Sequence, residues 1–157
     1  VMAYVGSDRL ADARHVVSRL ERYVATGSQS TNNYANTLRV GLPLAKALVA
    51  FGERQYDTAL ELLYGVRENA IEFGGSEAQR DVIDRTLLEA AIRSGRSTLA
   101  SALASERVHV NPGNPYNWSK MGEALRLSNA LGRAAESDAR SQSLRNEVLR
   151  TVNRRDQ

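Results

Sequence analysis

Apolar residues return along this chain at three- and four-residue steps, the period of a helix with one buried face. Leu10, Ala13, Val17, Leu20 and Val24 predict a first long helix from about Asp8 to Thr26, with Ser7 or Asp8 as its cap. Gly27 stops it, and a polar loop runs to Asn33. Tyr34, Leu38 and Leu42 carry the next stripe, which predicts a helix to Gly52. Pro43 lies inside that stretch and supplies no amide donor. The stripe continues on both sides of it, so a kinked helix is expected, with Gly41 relieving the crowding. Further helices are predicted from Gln55 or Tyr56 to Glu72, Glu77 to Ser94, Arg96 to Val110, Tyr116 to Leu131 and Ala134 to Val152. Gly74-Gly75, Gly95 and the run from Asn111 to Pro115 separate them. Ser76 and Gln79 are spaced as a capping box, and Pro115 suits a first helical turn.

Four alanines fall at matched points in this pattern. Ala13 follows Val5-Gly6-x3-Leu10, and Ala59 follows Phe51-Gly52-x3-Tyr56. Ala100 lies in Gly95-x4-Ala100-x11-Pro112, and Ala134 comes twelve residues after Gly122. A small residue recurring there lets two helices approach closely, which is the logic of a helical-hairpin repeat. The spacings of 46, 41 and 34 residues are unequal, so the array is degenerate. The fold class expected is all-α: a superhelical array of irregular hairpins with about seven helices. It forms a single domain over 1–152, with a frayed tail at 153–157.

Composition narrows the function classes. At 157 residues, 42% hydrophobic and 25% charged, the chain can bury roughly 70% of its unfolded surface as one soluble domain. The net charge is +3, but acids are interleaved with the bases, and only Lys46 and Lys120 of the 21 basic residues are lysines. Spread arginine with abundant alanine points to a GC-rich bacterial genome. A phosphate-binding face needs clustered charge of one sign. The arginines at 145, 150, 154 and 155 come nearest, diluted by Glu147 and Asp156, so nucleic-acid binding is not the favoured reading. The absence of cysteine removes disulfides, thiolate nucleophiles and Cys-ligated zinc. No apolar run reaches the roughly 18 residues that span a bilayer, and no signal peptide is visible. A cytoplasmic location without membrane attachment is expected. The chain opens on Val1-Met2-Ala3-Tyr4 inside a helical pattern, so it is expected to be the C-terminal part of a longer protein.

Pro112, Trp118, Gly122 and Ala134 hold the Pro, Trp, Gly and Ala positions of the tetratricopeptide repeat, which the third and fourth repeats resemble. A second resemblance lies in the middle of the chain. Val40-Gly41-Leu42-Pro43-Leu44, Ala47-Leu48, Ala50-Phe51 and Tyr56-x2-Ala59 lead into Gly74-Gly75-Ser76 and Ala78-Gln79-Arg80-Asp81-Val82, with Glu106-Arg107 and Asn111-Pro112 beyond. From Tyr34 to Pro115 this is similar to the C-terminal part of the tetratricopeptide repeat protein 38 family. The resemblance implies a segment that closes a solenoid, and it brings no catalytic residues. Arg54 stands where such repeats usually carry Gly, a departure expected to change the turn.

Candidate chemistry is sparse. His15 and His109 lack partners at metal spacing, and each sits on a second helix expected to face outward. Gln79-Arg80-Asp81 reads first as a helix start, with Arg80 paired to Glu77 or Asp84, and second as a recognition cluster. Asp81 and Asp84 share a face with Arg80 and Arg85 nearby, which favours a solvated, ion-paired surface. Trp118 is expected in the core, and Tyr116 to line a groove. The first helix of each hairpin is expected to line a concave face. That gives Leu44, Leu48 and Phe51 in one repeat, Arg85, Glu89 and Arg93 in the next, and Lys120, Glu123 and Arg126 in the last. With Arg80 and Tyr116, these residues make up the groove assigned to an extended peptide or a partner helix. Leu144, Val148, Leu149 and Val152 form a stripe on the last helix that reads as a cap, with a homodimer through it as the alternative.

The expectation is a non-catalytic scaffold binding a protein or peptide through its concave face, with no cofactor, no metal and no catalytic residue. The alternatives are the helical part of a larger enzyme whose catalytic groups lie outside this chain, and a nucleic-acid binder.

Overall fold

A computed structural model describes residues 1–27, 32–69 and 77–153, and the described residues contain helices and no strand. In chain order the elements are α1 (Met2–Gly6), α2 (Leu10–Thr26), α3 (Asn32–Asn36), a π-helical turn (Thr37–Gly41), α4 (Leu42–Gly52), α5 (Tyr56–Asn69), α6 (Glu77–Arg93), α7 (Ser97–Val110), α8 (Pro115–Leu127) and α9 (Leu131–Asn153). They gather into two compact units, Val1–Ala90 and Ala91–Gln157. The loop at 28–31, the segment at 70–76 with Gly74-Gly75, the side chains of Ser76 and Gln79, and the tail beyond Asn153 lie outside the described residues.

One turn occurs four times. Asp8, Arg54, Gly95 and Asn129 have φ of 59°, 63°, 72° and 58°, the left-handed region that closes a helix C-terminus. The next residue donates its N–H five residues back: Arg9 to Tyr4 O at 2.8 Å, Gln55 to Ala50 O at 2.8 Å, Arg96 to Ala91 O at 3.0 Å and Ala130 to Leu125 O at 3.0 Å. The left-handed residues donate three back, to Val5, Phe51, Ile92 and Arg126, at 3.0–3.2 Å. These paired bonds satisfy carbonyls that a helix end leaves without partners. A new helix begins one residue later, and its first bonds include Ala13 to Arg9, Ala59 to Gln55, Ala100 to Arg96 and Ala134 to Ala130. The four alanines therefore sit at one fixed step past the left-handed residue. All four are buried, at 0–2% exposure.

This turn corrects several sequence expectations. Ser7 and Asp8 do not cap α2. They close α1, where the Ser7 hydroxyl donates to Ala3 O at 2.9 Å, and α2 starts at Leu10 with no side-chain cap. Helix α8 ends at Leu127, four residues earlier than predicted, because Asn129 turns the chain. Arg54 does not change the turn, since its bonds match those around Gly95. A π-helical turn, Thr37–Gly41, stands just before Pro43, where the sequence predicted a kinked helix. The Leu42 N–H donates five residues back to Thr37 O. A proline ring clashes with the carbonyl four residues behind it, and a wider turn moves that carbonyl aside. Gly41 adopts ordinary right-handed helical angles there.

In the first unit, α1 packs on α4. A Cβ on Gly52 would stand 2.8 Å from both Val5 Cγ1 and Leu10 Cδ2, so only glycine permits this approach. Ala47, Leu63, Val66, Leu87 and Leu88 are buried in this unit. In the second unit, α8 lies between α7 and α9. A Cβ on Gly122 would meet Asp138 Oδ1 at 2.5 Å and Ala134 O at 3.3 Å, so Gly122 and Ala134 together set the α8–α9 spacing. The Ser141 hydroxyl donates to Pro115 O at 2.7 Å and ties the far end of that hairpin.

Candidate functional site

The predicted groove residues divide between the two units. On α8 the chain makes a well-positioned helix start: Asn114 Oδ1 accepts from the Tyr116 N–H at 3.0 Å, and Pro115 takes the first position. The steps of four and three residues then put Tyr116, Lys120 and Glu123 on one face. Lys120 Nζ lies 2.8 Å from Glu123 Oε2, and the Lys120 side chain is only 16% exposed. The Tyr116 ring sits between two cations, with the Arg107 guanidinium 5.8 Å and Lys120 Nζ 5.9 Å from its centroid. Both distances are within cation–π range.

Arg107 reaches Tyr116 from α7 because Asn117 locks the two helices together. Asn117 is 2% exposed. Its Nδ2 donates to Arg107 O at 3.0 Å and to Asn111 O at 3.1 Å, and its Oδ1 accepts from Arg107 Nε at 3.2 Å. A buried amide with its hydrogen bonds filled fixes one arrangement of neighbours. The sequence reading missed this residue, although a lone Asn behind the Asn114-Pro115 start was the available signal.

Arg126 pairs with Asp138 on α9, which places it at the seam of its own hairpin. Trp118, expected in the core, is only half-buried. Its indole N–H donates to Pro112 O at 2.7 Å, and it lines an open cleft of about 250 Å³ with Met121, Leu125, Arg133, Glu136 and Arg140.

In the first unit, Leu48 and Phe51 are half-buried on α4, and the Phe51 ring meets Tyr56 edge-on at 5.5 Å between centroids. Arg80 and Glu89 are half-buried on α6, and Arg85 is exposed. Asp84, the carboxylate expected beside Arg80, accepts from Arg67 Nε on α5 at 2.8 Å. The structure thus brings together Tyr116, Lys120 and Glu123. It also places Leu48 with Phe51, and Arg85 with Glu89, on shared helix faces.

His15 and His109 are both exposed, and Asp12 beside His15 is engaged by Arg9 Nε at 2.8 Å. Among the described residues no three His, Asp or Glu side chains gather as a metal site. No described helix is long and apolar enough to cross a membrane. Arginines at 9, 14, 67 and 126 each meet a carboxylate. The α8 face offers an aromatic ring, two cations and one carboxylate. No protein-family model matches this chain, and no solved structure matches it.

Proposed function

We propose that this chain is a helical-repeat scaffold of tetratricopeptide type that binds a protein or peptide and carries out no reaction of its own. The observation behind this reading is the fourfold recurrence of one left-handed turn with a buried alanine five residues on. Such recurrence builds hairpins that stack, and a stack of hairpins presents its first helices as a continuous surface. The likeness of Tyr34 to Pro115 to the tetratricopeptide repeat protein 38 family points the same way. On this reading the protein is a cytoplasmic bacterial one, and a superhelical arrangement joins the repeats.

In the second unit the binding face is Tyr116, Lys120 and Glu123 on α8; in the first unit the candidate faces are Leu48 with Phe51 on α4 and Arg85 with Glu89 on α6. Aromatic and arginine side chains dominate the energetics of such surfaces. Arginines already engaged by carboxylates favour a peptide over a polyanion, since phosphate binding draws on uncompensated basic charge.

A photo-crosslinking phenylalanine analogue at Tyr116 would capture the partner. Its affinity is then measured for the unaltered chain, Tyr116→Ala, and Arg85→Ala combined with Glu89→Ala. Loss of about tenfold in affinity for Tyr116→Ala is expected, with Trp118 fluorescence showing an unchanged melt. Unchanged affinity in both variants would overturn the assignment of this face.

A further inference from the structure

Two segments of the first unit carry one charge pattern. On α2 it reads Arg14-x2-Val17-Ser18-x2-Glu21, and on α4 it reads Lys46-x2-Val49-Ala50-x2-Glu53. In each, a cation and an anion seven residues apart bracket a small apolar patch on one helix face. The helices meet with these faces antiparallel, so both ends find opposite charges. Arg14 pairs with Glu53, and Lys46 Nζ lies 2.7 Å from Glu21 Oε1.

Between the two pairs an open groove of about 330 Å³ runs along the joint, lined by Val17 and Ser18 of α2, Val49 and Ala50 of α4, and Thr58 and Leu62 of α5. Glu21, Lys46 and Arg14 are 42–57% exposed and Glu53 is 23% exposed, so Lys46–Glu21 is the pair more open to screening by salt. At one end Val5 and Leu10 pack onto Gly52 and form an apolar pivot. Nearer the C-terminus of α2, the Tyr23 ring meets the Tyr34 ring of α3 at 6.4 Å between centroids.

We propose that the α2–α4 joint is a salt-released latch. The α1–α2 hairpin swings about the Gly52 contact, the two ion pairs hold it shut, and its opening uncovers the apolar strip of Val49, Ala50 and Leu62. The latch works independently of whatever binds on α8.

Hydrogen exchange of the full chain, read by mass spectrometry at 50 mM and 500 mM NaCl, tests this. Peptides from α2 are followed against peptides from α7, whose joint to α8 is held by the uncharged Asn117. Exchange in α2 is expected to speed up by roughly fivefold at high salt, with α7 unchanged. Glu21→Lys, which sets two lysines face to face, should give the fast rate at low salt and shrink or reverse the salt response, because salt then screens a repulsion. Glu21→Lys with Lys46→Glu should restore both the slow rate and the response. Ser18→Leu fills the groove and should slow α2 exchange at both salt concentrations without changing their ratio. Equal α2 rates at the two salt concentrations, or a charge swap that fails to restore protection, would overturn the latch.

Discussion

The joint between α2 and α4 and the joint between α7 and α8 do the same task by opposite means. Each connects a helix that follows a left-handed turn to the helix that opens the next hairpin. At α7–α8 a buried amide, Asn117, is bonded to Arg107 and Asn111, with Ala104 and Ala124 fully buried on the two helices. At α2–α4 two ion pairs flank an open surface groove. Identical turns thus fix the inside of a hairpin and leave the joint between hairpins free to vary. Rigidity follows from what fills the joint, and the chain distributes it unevenly.

A large effect is expected at the filled joint. Asn117→Ala removes the side-chain donors to Arg107 O and Asn111 O and leaves a void. Each carbonyl keeps a backbone donor, from Asn111 N–H and Asn114 N–H, so the cost is about 2 kcal/mol, from lost side-chain hydrogen bonds and lost packing. Trp118 is the only tryptophan, so its fluorescence in a urea titration reads this unit alone. A loss below about 1 kcal/mol would make the amide incidental and the two joints alike.

Next come the alanines. Ala59→Leu and Ala134→Leu each force a branched side chain into a site with 0–2% exposure, costing about 2 kcal/mol by overpacking. Similar losses in the two units, by circular dichroism for Ala59 and by Trp118 fluorescence for Ala134, would show that the hairpin interiors are equivalent. Tolerance at Ala59 alone would mean that the looseness of the first unit reaches inside its hairpin.

Much of this interior was legible beforehand. The 3.6-residue stripe, Gly95, the Asn114-Pro115 start and the four alanines are local signals, and the helices fall where those signals put them. The misses are of another kind. Asn129, Asp8 and Arg54 take left-handed angles with no glycine to announce it, because the closing bonds of the turn offset the strain. The π-helical turn before Pro43 is one of several ways to accommodate a proline, and pattern alone does not choose among them. Asn117 and the Arg14–Glu53 pair depend on which helix lies opposite, information that no local period carries. For the same reason, the contacts that join Tyr116, Lys120 and Glu123 emerge only in the structure.

The turns offer a finer comparison. Gly95→Ala places a Cβ at φ 72° and is expected to cost about 1 kcal/mol. Arg54→Gly runs the other way and should stabilise by about 0.5–1 kcal/mol, since the strain removed exceeds the flexibility added. Asn129→Gly should change little, because Asn tolerates this region. Urea midpoints for the three variants rank them. A destabilising Arg54→Gly would show that the arginine side chain, and not the turn, is what matters there.

The smallest effect separates the joints most sharply. Arg14–Glu53 and Arg126–Asp138 are both arginine–carboxylate pairs with comparable exposure, the arginines at 57% and 47%. They differ in what lies beneath them. Arg126–Asp138 sits over the close approach of Gly122 to α9, so its partners are held in place before they pair and less side-chain freedom is lost. Arg14–Glu53 crosses the edge of an open groove, and both side chains must be ordered to meet. Double-mutant cycles with alanine should therefore give a coupling near 1 kcal/mol for Arg126–Asp138 and about 0.3 kcal/mol for Arg14–Glu53, within the range of exposed pairs. Raising NaCl to 0.5 M should weaken both couplings, and the smaller one is lost first because there is less of it to screen away. If the two couplings are equal and fall together, the groove has no bearing on the strength of the pair above it. The softness of the α2–α4 joint would then reside in its open groove alone.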